Sequence, residues 1–353
     1  MQIRRGLALG IALLVAGTSV VAQNAQRDER KRSRQEQQDT EALVKMVDGV
    51  SMGQQQVPAD LTVTWDTHHF VKGQDGKTYI PFTVNVDRST LAAPGVAMYV
   101  RVIPKGSATA AGTAGEKNDD RKRGDNDDRK QGDKVEYPWD NIHFLEIPQN
   151  GKISRAMAVA GGEYELFLAV KEKTTGDRKQ PSTKAGLLRK DLSVPDFAAP
   201  ELTTSSVIVA DTVEPVQTAM TNEQQQENPY TFGTMKIVPS ADPKFKKDGE
   251  LQVVFWIYGV SQDASKKPDV EIQYNFHQKT AEGEKYFNKT APQQLNATTL
   301  PPQFDMAAGH QLPGSLVVPL ASFPAGDYRL EIKITDKPSG KTLTRDVTFS
   351  VVG

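Results

Sequence analysis

The same strand is written twice in this chain, once as Gly161-Gly162-Glu163-Tyr164-Glu165-Leu166-Phe167-Leu168-Ala169-Val170-Lys171-Glu172-Lys173 and again as Ala325-Gly326-Asp327-Tyr328-Arg329-Leu330-Glu331-Ile332-Lys333-Ile334-Thr335-Asp336-Lys337. Each begins with a turn glycine, an acid and a tyrosine. The second copy alternates strictly, with Tyr328, Leu330, Ile332 and Ile334 on one face and Arg329, Glu331, Lys333 and Thr335 on the other. A period of two fits a β-strand with one buried face, whereas a helix needs a period near 3.6. Both copies therefore read as half-buried strands.

The repeat runs beyond these two strands. Asp75-Gly76 precedes Phe82 as Asp248-Gly249 precedes Phe255, Phe70 lies near the place of Phe245, and Pro94 precedes its strand as Pro268 does. Tyr164 and Tyr328 are followed at equal spacing by Gly176 and Gly340, and each copy ends in a strand with a basic-acidic patch, Arg189-Lys190-Asp191 and Arg345-Asp346. Landmarks in one order at a period of roughly 170 residues argue for duplication of a whole domain, since solenoid repeats are far shorter.

Short alternating runs fill both halves. The first has Leu61 to Trp65, Thr78 to Val86, Val96 to Ile103, Ile142 to Ile147, Ile153 to Val159, the tyrosine strand and Leu187 to Val194. The second has Val207 to Val209, Met235 to Val238, Leu251 to Tyr258, Val270 to His277, Leu316 to Val318, its own tyrosine strand and Leu343 to Val352, with Gln224-Gln225-Gln226 read as a loop. With no helical periodicity between them, the fold class is all-β: two tandem antiparallel β-sandwiches, residues 57–196 and 201–353, joined by the stiff Pro195-to-Pro200 segment. Pro81 cannot donate to a ladder and is expected at an edge or a bulge. Residues 106–134 carry seven acids, seven bases and no large apolar side chain, so they read as a disordered insertion.

Ahead of these strands lie a leader and a spacer. Arg4 and Arg5, the apolar run from Leu7 to Gly17 and Val20-Val21-Ala22 before Gln23 read as a signal peptide over residues 1–22. Residues 23–56, rich in Gln, Arg and Glu, read as a disordered spacer with one short helix around Ala42 to Val47. Cleavage removes Arg4 and Arg5 from 43 basic side chains, leaving 41 against 44 acids, a formal charge of −3. That balance implies no nucleic-acid partner. The absence of cysteine excludes disulfides, thiolate metal sites and a cysteine nucleophile. With no second apolar span, the expected location is exported, periplasmic or secreted, without an integral membrane span after cleavage.

The Gly-acid-Tyr opening of the penultimate strand resembles the tyrosine corner of immunoglobulin and fibronectin type III sandwiches. Tyr79-Ile80-Pro81-Phe82, Pro195-Asp196-Phe197 and Phe323 to Leu330 are similar to β-sandwich regions of bacterial exported proteins of unknown function. This resemblance covers most of residues 57–353 and implies a fold, a compartment and structural roles for Tyr164 and Tyr328. The immunoglobulin cysteine pair is absent, which places the resemblance in the cysteine-free branch.

No chemistry-bearing constellation stands out. Asp66 and His68 would share a face if their strand continued, with His69 opposite, but His143, His277 and His310 are isolated and no metal-ligand spacing occurs. Gly-x-Ser-x-Gly, phosphate-loop and Rossmann patterns are missing. The Asp119-Asp120 and Asp127-Asp128 pairs lie in the expected disordered insertion, where nothing would orient them. No catalytic, cofactor or metal residues are assigned, and no enzyme activity is expected. The expected function is a protein-interaction or assembly module with an envelope or extracellular protein partner. The alternative is carbohydrate binding, with Trp139 in Tyr137-Pro138-Trp139-Asp140 as a flat platform for a glycan, while Trp65 and Trp256 are expected in the core.

Overall fold

The computed structural model describes residues 34–106, 136–174, 184–218 and 220–353. The leader and nearly all of the charged insertion lie outside the described residues. The chain is all-β, about 52% strand and 9% helix.

The first half comprises α1 (Arg34–Ser51), β1 (Val63–His68), β2 (Val71–Lys72), β3 (Thr78–Val86), β4 (Gly95–Pro104), β5 (Trp139–Glu146), β6 (Lys152–Val159), β7 (Gly162–Glu172) and β8 (Ala185–Val194). One sheet centres on β3, paired with β1, β2 and β6, and the other runs β5-β4-β7-β8. Ile80, Phe82 and Val84 from the first and Val96, Met98, Val100, Leu166 and Leu168 from the second form the core between them.

In the second half are β9 (Thr203–Thr204), β10 (Ile208–Pro215), α2 (Asn222–Glu227), β11 (Thr231–Phe232), β12 (Met235–Pro239), β13 (Lys244–Lys246), β14 (Glu250–Tyr258), β15 (Val270–Thr280), β16 (Gly283–Lys289), β17 (Gln293–Leu295), β18 (Leu312–Pro319), β19 (Gly326–Asp336) and β20 (Lys341–Val352). One sheet runs β11-β12-β10-β14-β18 with β9 on β14, and the other β13-β20-β19-β15-β16 with β17 on β15. Leu251, Val253, Phe255, Ile272, Phe276, Leu330, Ile332 and Phe349 fill the space between.

Six strands of each half share one arrangement. The order β8-β7-β4-β5 repeats as β20-β19-β15-β16, and the β3–β6 pair facing it repeats as β14–β18. In each half the strand opened by Gly-acid-Tyr is central. Eight residues after each tyrosine that strand ends in an acid that fastens neighbouring loops. Glu172 accepts from the Ala92 and Lys184 amides at 2.9 Å each. Fully buried Asp336 accepts from the Ser261 amide at 3.1 Å and from the Ser339 hydroxyl.

The two tyrosine strands differ in what covers them. β19 alternates buried and open positions as the sequence implies, but β7 is buried on both faces from Leu166 to Lys171. The cause is α1. Its Asp39, Leu43, Val47 and Val50 recur at helical spacing and pack onto the outer face of β4 and β7, against Ala97, Tyr99, Phe167 and Ala169. Residues 34–51 therefore form a docked helix rather than the spacer expected from their polar composition. Two ion pairs hold it, Asp39 with Lys171 and Asp48 with Arg101, and Asp39 and Arg101 are 2% and 3% exposed. Burial pushes the Asp39 carboxyl up, but hydrogen bonds from Lys171 and Thr174 outweigh it and hold the group below its ordinary value.

Other local expectations also differ from the structure. Pro81 sits in central β3, and its missing donor coincides with the break between β1, which ends opposite Phe82, and β2, which starts opposite Tyr79. The sequence carries no periodic apolar signal for the β15–β16 hairpin, because Phe287 alone on β16 packs against the core. The Gln224 region is helical, with a capping box between Thr221 and Gln224.

Candidate functional site

Asp66, His68, His69 and His310 make contacts within the fold. β1 bulges between Trp65 and Thr67, so Asp66 and His68 do not act as a same-face pair. Asp66 instead binds the Lys152 ammonium at 3.0 Å, and His68 Nδ1 accepts from the Trp65 indole at 3.1 Å. Burial, aided by the Lys190 charge, lowers His68 to about 4, and burial likewise lowers His69 to about 4. His310 Nδ1 accepts from the Asp305 amide at 3.0 Å, and His277 packs edge-on to Tyr286. Among the described residues no group of three or more His, Asp or Glu could hold a metal ion.

His69 and its neighbours on the β1–β3 segment join the two halves. His69 Nδ1 and the Tyr230 hydroxyl are 3.0 Å apart, the Tyr79 hydroxyl donates to the Pro229 carbonyl at 2.9 Å, and the Lys72 amide donates to the Tyr258 hydroxyl at 3.0 Å. The Phe70 amide and carbonyl both bond Ser206, at 2.8 Å each. Val71, Phe197, Ile208, Tyr230 and Trp256 form an apolar cluster at this junction. Trp256 is thus buried, as its strand position implies, but between the halves rather than inside a sandwich.

Trp139 lies on β5 opposite Val102, and at 9% exposure its ring offers no flat face to solvent. It borders a cleft with Asn141, His143 and Arg155. Tyr164 and Tyr328 are buried, and each hydroxyl donates to the backbone four residues upstream, to Ala160 at 3.1 Å and Pro324 at 2.7 Å.

One open stretch of backbone among the described residues is the outer edge of β20. On one side β20 pairs with β19 from Lys341 to Val351, while on the other β13 covers Ser350 to Val352. The Ser350 amide donates to Pro243 at 2.9 Å and the Val352 carbonyl accepts from Lys247 at 3.1 Å, so even-numbered positions point away from β19. Thr342, Thr344, Asp346 and Thr348 then present their backbone groups along an edge that no described strand covers. Their side chains are exposed, while Leu343, Arg345 and Val347 turn toward the sandwich interior. Arg345 laces this edge to β9 by donating to Thr204 Oγ1 at 2.9 Å and Thr203 Oγ1 at 3.4 Å, and to the Thr344 carbonyl at 3.2 Å. Two other edges are guarded: β18 carries Pro313 and Pro319, and β16 is lined by Glu284, Lys285 and Lys289.

No protein-family model and no curated protein matches the chain. Among solved structures, trypsin-activated α2-macroglobulin from Escherichia coli is similar at 12% identity and a TM-score of 0.22, covering 84% of this chain and 17% of that one. A Salmonella α2-macroglobulin mutant gives 13% and 0.20 with the same coverage, and the elastase-activated E. coli protein 11% and 0.22, covering 22% of its chain. The chain thus spans about a fifth of these proteins. Likeness at this level assigns it neither a family nor a function.

Proposed function

We propose that this is an exported protein of two tandem immunoglobulin-like sandwiches that acts without catalysis, as an interaction or assembly module. Its partner is a protein of the envelope or extracellular space that contributes an extended strand to the free edge of β20. The observation that carries this reading is the run Thr342 to Thr348, a Pro-free and Gly-free edge with four outward-facing residues and three threonines, suited to pairing.

The repeated strand order and the two tyrosine corners support the immunoglobulin-like assignment. The pattern of residues 1–22 supports export, and among the described residues no helix is long and apolar enough to cross a membrane. The bonded junction between the halves supports a module that presents its edges in a fixed orientation. Engagement of candidate acids, bases and histidines in structural contacts supports a non-catalytic role. The glycan alternative loses its expected platform because the Trp139 face is covered.

Photo-cross-linking from position 342 in cells, compared between wild type, Thr344→Val and Thr344→Pro, tests the edge. Valine keeps the outward amide and proline removes it, at a position where an edge strand tolerates proline. A specific partner captured by wild type and Thr344→Val but lost in Thr344→Pro is the expected result. Equal capture by all three variants, or capture of nothing but the chain itself, overturns the reading.

A further inference from the structure

Strand pairing places polar residues where a sandwich ordinarily keeps apolar ones. On β5, Asn141 and His143 lie opposite Val100 and Met98 of the core. On β6, Arg155 lies opposite Phe82, between the core residues Ile153 and Met157. Cross-strand partners share a face, so all three point to the core side of two edge strands from opposite sheets. These rows line one cleft with Trp139, closed from the second half by Gln225 of α2.

A guanidinium has five donors, and among the described residues the Arg155 side chain has one hydrogen-bond acceptor, the neighbouring Ser154 carbonyl at 2.8 Å. No described carboxylate lies within ion-pair distance. Glu227 on α2 is near enough to favour the charged form while burial opposes it. His143, lowered to about 3 by burial and by Arg155, adds no second positive charge at neutral pH. A half-buried cation with unused donors, flanked by side-chain amides and the Trp139 indole, is a recognition element for an anion. With one cation in the cleft and Glu227 nearby, a dianion such as phosphate is disfavoured relative to a single carboxylate.

We infer that this cleft binds the carboxylate group of a small acidic ligand. Arg155 forms the paired bond to the two carboxylate oxygens, Asn141 and Gln225 donate from the sides, and Trp139 supplies an apolar wall. The cleft is narrow, so the carboxylate enters and the rest of the ligand stays at the mouth. This site is independent of the β20 edge and stands or falls without it.

The test is a nuclear magnetic resonance titration of the full mature chain, reading the Trp139 indole and Arg155 Nε signals, with glucuronate, succinate, glucose and inorganic phosphate. Saturable shifts with one or both acids, at a Kd on the order of 1 mM or tighter, and weaker or no response to glucose and phosphate are expected. Whether glucuronate, succinate or both bind identifies the source of the carboxylate. Arg155→Gln should weaken binding about tenfold or more, and Arg155→Lys less, because lysine keeps charge but not the fork. If Arg155→Gln loses its dispersed spectrum, Asn141→Ala and Gln225→Ala replace it and should each weaken binding several-fold. No saturable shift with either acid, glucose binding as well as glucuronate, or affinity unchanged in all folded variants overturns the inference.

Discussion

The Tyr328 hydroxyl donates to the carbonyl of Pro324, four residues upstream, at 2.7 Å, with the ring stacked on Phe349. Tyr164 and Ala160 repeat the bond at 3.1 Å. Each ties the loop before the central strand to the start of that strand. Tyr328→Phe keeps the ring and deletes the bond, so it should cost on the order of 1 kcal/mol in denaturant unfolding. Tyr164→Phe should cost a similar amount. No loss in either variant would show that these hydroxyls contribute nothing to stability.

Two residues before each tyrosine stands a glycine with φ of +154° at Gly162 and +148° at Gly326. An added Cβ would meet the Tyr164 ring at 3.3 Å in the first and the Gln278 side-chain nitrogen at 3.3 Å in the second. Alanine at either site should destabilise by about 1–3 kcal/mol, read as a lower denaturation midpoint at unchanged slope. An unchanged midpoint would mean the backbone relaxes to a conformation open to any residue.

Helix α1 is held by the buried Asp39–Lys171 ion pair. Asp39→Ala leaves the Lys171 ammonium, which also bonds Thr174 at 3.1 Å, without its carboxylate. A loss of about 3–5 kcal/mol is expected, with early proteolysis inside residues 34–51. Replacing both, Asp39→Leu with Lys171→Met, should recover much of it. Because the Asp39 pKa is depressed on folding, its contribution is present above the ordinary carboxylate pKa and is lost as pH falls through the folded value. Wild-type α1 should become protease-sensitive in strong acid, and equal sensitivity at all pH values would contradict this.

The junction between the halves should loosen under milder acid. His69 is lowered to about 4 by burial, so between roughly pH 6.5 and pH 4 the unfolded chain binds a proton that the folded one refuses. Stability should therefore fall as pH drops through that window and level off below it, by at most on the order of 3 kcal/mol per histidine so placed. His69→Gln, able to keep a bond to Tyr230, should flatten the slope measured by unfolding at several pH values. An identical slope in the variant would assign the effect elsewhere.

Much of the sandwich order was legible because β19 alternates without interruption and its turn, tyrosine and terminal acid recur in β7. The docking of α1 was not read, yet its signal is present: Leu166 to Val170 is continuously apolar where Leu330 to Ile334 alternates, so β7 needs a cover on both faces and β19 does not. Trp256 and Tyr258 share the face opposite Phe255 and Ile257, so β14 too is apolar on both sides, which marks the junction that periodicity alone left unassigned. Arg155 and His143 were hidden for another reason. Which face of an edge strand looks inward depends on partners far apart in sequence, and polar residues at inward positions of β5 and β6 break the apolar alternation that would declare it.

Residue-resolved amide exchange across β20 bears most directly on the proposed function, measured on the free protein and with the captured partner. Free, the amides of Thr342, Thr344, Asp346 and Thr348 should exchange quickly, while those of Leu343, Arg345 and Val347, facing β19, are protected. Adding the partner should slow those four and leave the opposite edge, β16, unchanged. Protection of the four in the free chain, or a bound complex that leaves them fast, would contradict strand addition at this edge.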